Sequence, residues 1–144
     1  MYKRQPTFPS GGGGLVSTLD DLLAFQRMLL AGGVSDNGTR VLAPESVALM
    51  TTDHLTADQR TASRLFLEGQ GWGFGGSVDI EQIDPWNVPG RYGWVGGSGT
   101  AAHIVPAAHS ITILLTQVQM TSPTPPPVMR EFWTYAASRS NQPA

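Results

Sequence analysis

Residues 96–100, Gly-Gly-Ser-Gly-Thr, set a serine between glycines, the way some acyl-transfer enzymes raise a hydroxyl nucleophile on a sharp turn. That device needs a strand entering the turn and a helix leaving it, and its last glycine is Thr100 here. Strand character continues on both sides, so Ser98 reads as a turn residue. The histidines, His54, His103 and His109, fall in a loop, a strand and a turn, with no metal-ligating spacing among them. The carboxylates are scattered. Asp20 and Asp21 suit a helix N-terminus electrostatically, and Asp79, Glu81 and Asp84 flank a loop. No activated nucleophile with its base is visible. What stands out is Gly93-Trp94-Val95-Gly96-Gly97-Ser98-Gly99, where glycines crowd a strand that they weaken. Glycine at such a place marks a bulge or the close approach of a ligand or another backbone.

The elements that must hold this stretch follow from pattern. A chain of 144 residues suits one domain that buries about two thirds of its unfolded surface. Thr18, with Asp21 three residues on, caps a helix in which Leu19, Leu22, Leu23, Gln26, Leu29 and Leu30 share one stripe; Gly32 and Gly33 end it. Pro44 opens a second helix over about 44–52, and the polar residues 53–70 read as a surface loop with at most one helical turn. A strand is expected over 71–80, then three more around 91–98, 101–105 and 110–118. The short Pro106–His109 link makes neighbours antiparallel. The last of these strands is almost continuously apolar and β-branched, as a central strand buried on both faces would be. Val128, Met129, Phe132, Trp133 and Ala136 then line one side of a C-terminal helix. The fold class is α+β, an antiparallel sheet with packed helices, arranged as a lead-in (1–16), a helical part (17–55), strands (71–118) and the closing helix (125–139).

Composition narrows the partners. A net charge of −2, with basic residues dispersed apart from Tyr2-Lys3-Arg4, gives no footprint for nucleic acid. No apolar run nears the roughly 20 residues of a membrane span. No cysteine is present, so disulfides and thiolate chemistry are excluded. Charged residues make up 14% of the chain, against about 25% in a typical soluble domain, which fits either an exported or polar but uncharged surface or one partly covered by further protein.

The runs Pro9–Gly33, Gly38–Leu55, Gly71–Val78, Gly93–Pro106 and Ile111–Gln117, in that order, resemble the C-terminal part of the serine β-lactamase-like family. That family comprises class C β-lactamases, D-amino-acid peptidases, low-molecular-weight penicillin-binding proteins and related carboxylesterases. The resemblance implies a partial β-lactamase/transpeptidase-like fold. It also implies that the acylated serine, its lysine and a Tyr-x-Asn loop belong to an earlier segment, since no Ser-x-x-Lys occurs here. The Ser35-Asp36-Asn37 letters fall in a turn that Asp-Asn-Gly explains on backbone grounds. Trp94-Val95-Gly96 sits where the family has its third motif, on a site-lining strand, and Gly97 would then supply an oxyanion-binding N–H. A lysine often stands where Trp94 does, so penicillin-type carboxylate recognition is disfavoured relative to esters, lactones or peptide-like acyl groups. Arg91, three residues along the strand, falls about 10 Å away on the other pleat face.

On this reading the chain alone is inactive and needs no cofactor or metal. Its partners are the missing N-terminal catalytic part, a small acyl substrate and, through uncovered apolar surface, a second copy in a homo-oligomer or swapped dimer. A non-catalytic binding or assembly module that reuses the fold is the alternative. A small free-standing α+β domain is a third reading.

Overall fold

The computed structural model describes residues 12, 13 and 15–140. Most of the expected lead-in, Ser10 included, lies outside the described residues.

Local signals set the helical part. In α1 (Leu19–Leu30) the Thr18 hydroxyl accepts the Asp21 N–H at 3.1 Å and donates to the Asp21 carboxylate at 2.8 Å. Gln26, Met28 and Leu29 are the residues it buries, whereas Leu19 stays half exposed. Gly33 ends the helix at φ 92°, its N–H on the Met28 carbonyl; a Cβ there would lie 2.1 Å from the Leu42 oxygen. Only glycine lets the chain pass that closely. Helix α2 (Pro44–Met50) begins at its proline. Residues 53–70 depart from the loop expectation and hold two short helices, α3 (Ala57–Ala62) and α4 (Arg64–Leu67). A reciprocal capping box between Thr56 and Gln59 starts α3, which buries no residue. Its polarity hid it.

The sheet runs β1 (Gly71–Trp72), β2 (Ser77–Val78), β3 (Tyr92–Gly96), β4 (Thr100–Val105) and β5 (Ser110–Leu115), each antiparallel to the next. The single strand expected over 71–80 is a tight hairpin, closed by the Gly73 N–H on the Gly76 carbonyl. A second correction concerns β5. It ends the sheet beside β4, and its residues are half buried apart from the exposed Leu115, whereas β4 buries Ala101, His103, Ile104 and Val105. An apolar β-branched run predicts cover on both faces but not which neighbour supplies it.

Strand alternation divides the core. Ile104 and Tyr92 meet Met28, Leu29, Val47 and Val78 on the α1 side. Ala101 meets Met129 and Trp133 of α5 (Pro127–Ser140) on the other. The buried stripe of α5 is Met129, Trp133 and Ala137, one residue around from the expected line, with Val128 46% exposed. Among the described residues no helix is long and apolar enough to cross a membrane.

Candidate active site

The second half of β3 has one paired edge and one open edge. Trp94, Val95 and Gly96 pair with Ala102, Ala101 and Thr100 of β4, whereas β2 reaches only Tyr92 and Gly93 on the other side. The Asp79 N–H donates to the Arg91 carbonyl at 2.9 Å, which fixes the odd-numbered residues as those facing the β2 edge. Alternation therefore turns the backbone N–H and C=O of Val95 toward the open edge beyond β2. Gly97 follows as the first residue of the hairpin turn. Gly99, at φ 89°, closes that turn with its N–H on the Gly96 carbonyl. A Cβ on Gly99 would lie 2.0 Å from the Val118 oxygen, so the turn is pinned against the segment after β5. The Gly97 carbonyl accepts the Met120 N–H at 2.9 Å, while no hydrogen bond among the described residues engages its amide. A Cβ at Gly97 would meet open space. Ser98 is exposed in the same turn, and no hydrogen bond of the described residues supplies it with a base.

Beside this edge lies a cavity of about 380 Å³, walled by Phe66, Trp86, Trp94, Val95, Gly97 and Trp133. On the α1 face the Trp94 ring meets Trp72 edge-on at 4.6 Å and Phe66 at 5.1 Å. On the α5 face His103 meets Trp133 edge-on at 5.4 Å. The sequence singled out Trp94, Val95, Gly96 and Gly97, and the structure places them together on one edge. It did not single out Phe66, Trp86 or Trp133 as cavity walls. A large aromatic residue inside an otherwise polar stretch was the available signal for Phe66 and Trp86.

The polar floor is built on Asp79, a residue that looked like a loop flank. Its fully buried carboxylate accepts from Gln70 Nε2 at 2.5 Å, Asn87 Nδ2 at 3.1 Å and the Val88 N–H at 2.8 Å. Arg91 Nε lies 2.9 Å from Oδ2. Arg91 is thus on the pleat face opposite Trp94, as expected, and its charge is spent on Asp79. His103 is buried beside it. Burial, and then the Arg91 charge, hold the His103 pKa well below the ordinary histidine value. Unfolded histidine binds a proton near pH 6.5, so the unfolded chain takes up protons that the folded one refuses. The stability from this group is therefore full above about pH 6.5 and is lost as pH falls below it. A His103→Gln chain is expected to show a flatter decline of urea midpoint between pH 7.5 and 5.5. An unchanged slope would remove His103 from the acid response. His54 stacks on Phe74 with centroids 4.7 Å apart, and His109 takes a left-handed turn position. Among the described residues no three histidine or acidic side chains gather as metal ligands.

Comparison with known proteins bears on this arrangement. A family model described as Beta-lactamase matches residues 1–131. Protein Rv1367c and uncharacterized protein MT1414, from the H37Rv and CDC 1551 strains of Mycobacterium tuberculosis, are each 46% identical over 120 residues. The match takes in 78% of this chain and 30% of each of theirs, so the chain spans under a third of the curated relatives' length. Unliganded simvastatin synthase (LovD) from Aspergillus terreus superposes with a TM-score of 0.70, over 90% of this chain and 36% of that one. At 21% identity that likeness is one of fold.

Proposed function

The chain belongs to the Beta-lactamase family, and from that premise we propose that it forms the C-terminal part of a serine hydrolase working through an acyl-serine. The observation that carries this reading is the open edge of β3, ending at Gly97 beside the aromatic cavity. In such a reaction a serine oxygen adds to the substrate carbonyl, and the carbonyl oxygen gains negative charge. A fixed N–H aimed at that oxygen is worth far more there than in water. We assign the role to the Gly97 amide, with Trp94, Val95 and Gly96 as the strand along which the acyl group lies. Collapse of the intermediate expels an alcohol or amine, and water then hydrolyses the acyl-serine. The serine and its base belong to the preceding part of the parent protein, which would also cover the exposed Leu15, Leu65 and Phe74 side chains and the free flank of the sheet. Without that cover, these surfaces favour self-association.

Oxyanion stabilisation without a nucleophile leaves no covalent route. The isolated 144 residues are therefore expected to hydrolyse neither nitrocefin nor a p-nitrophenyl ester above the buffer rate, while the intact parent turns over the ester. Turnover by the isolated chain that a Ser98→Ala change abolishes would overturn the assignment.

A further inference from the structure

The aromatic cavity has two charged residues in its lining, Glu68 and Arg91, and each is already closed into an ion pair. Arg91 meets the buried Asp79, and Glu68 meets Arg130 Nη2 at 2.6 Å. Arg130 is held further: its Nε donates to the Pro125 carbonyl at 3.1 Å, and its guanidinium lies 4.8 Å from the centre of the Trp86 ring. The amides of Gln70 and Asn87, which also line the cavity, both donate to Asp79. The lining cation is thus matched to a carboxylate, and the donors that keep no partner among the described residues, the Trp133 indole N–H and the Gly97 amide, are uncharged. A carboxylate entering here would have to break an existing ion pair or stay unmatched, which costs more than it gains in a partly buried site. What remains on offer is ring surface from Phe66, Trp86 and Trp94, with neutral donors from Trp133, Gly97 and the Thr121 hydroxyl. Flat rings of this kind favour offset or edge-on contact with another ring.

Taking the acyl-serine reading as its basis, we infer that this cavity selects an uncharged substrate group bearing a planar ring, and that the Glu68–Arg130 pair enforces the selection by withholding the arginine from anions. Phe66 and Trp94 are then the specificity-determining side chains, one from α4 and one from β3. A cavity of this size lies in the range of small-molecule sites, about 300–1,000 Å³.

The isolated chain allows the test, because a chain without the nucleophile leaves an ester probe intact. Methyl 2-naphthoate and 2-naphthoate differ only in their charge-bearing end, and binding can be followed at pH 7.5 through the tryptophan indole N–H signals in NMR. The neutral ester is expected to bind at least about tenfold more tightly than the anion. Phe66→Ala, at a residue 51% exposed and so tolerable to the fold, should weaken the ester by about two- to tenfold. Glu68→Gln, which leaves the Arg130 charge unneutralised, should raise the affinity of the anion and leave that of the ester. Equal binding of the two probes, an anion indifferent to Glu68→Gln, or no saturable shift with the ester would each overturn the inference. These results are independent of turnover. A parent enzyme active through another serine site leaves the selectivity measurement standing, and a parent active as proposed can still fail it.

Discussion

Replacing Asp79 by alanine is expected to remove about 3–5 kcal/mol of folding stability, the range for breaking a buried ion pair from one side. The carboxylate is fully buried, Arg91 is 5% exposed, and neither can turn to water when its partner is lost. The variant would leave the guanidinium charged in a desolvated place, together with the Gln70 and Asn87 amides and the Val88 N–H stripped of their acceptor. A domain of this size holds only about 5–15 kcal/mol in total, so the loss is a large share of it. Urea unfolding should show a lower midpoint with an unchanged slope. The double change Asp79→Ala with Arg91→Met should recover part of the loss, because it removes the orphaned charge as well. A single variant within about 1 kcal/mol of the parent would mean that water reaches this pair.

Gly97→Pro is expected to lower kcat of the intact parent by about 10²–10³-fold, the usual cost of one missing oxyanion donor. Proline removes the N–H and little else here. Gly97 is the first turn residue after β3, where proline's fixed φ is well tolerated, and its surroundings are open. Gly97→Ala is the control. It keeps the amide, its Cβ would touch nothing within 4 Å, and its kcat should stay within a few-fold of the parent. Equal activity of the proline variant would show that the oxyanion is held elsewhere. Equal loss in both variants would point to disturbance of the turn, which the melting temperature would report.

What could be read from the sequence was local. Thr18, the leucine repeat and the Gly32–Gly33 stop define α1 within one stretch of chain, and the structure follows them to the residue. The β3–β4 hairpin was legible for the same reason, since its glycines and strand pattern sit within fourteen residues, Tyr92 to Val105. Global position was not legible. The composition of β5 suits burial on both faces, yet its place at the sheet flank depends on which partners pair with it. Helix α3 buries nothing and so carries no apolar period to detect, although its Thr56–Gln59 box was there to be found. The site divides in the same way. Trp94 through Gly97 came from one motif, whereas Asp79 gained its importance from Gln70, Asn87 and Arg91, which converge on it through irregular loops. No periodicity encodes such convergence.

Each strand of this sheet lies beside its own sequence neighbour, with three residues between β3 and β4 and four between β4 and β5. Such a meander closes mostly through short loops, the longest being the thirteen residues between β2 and β3, and a chain rich in near-neighbour contacts folds faster than one built from distant pairings.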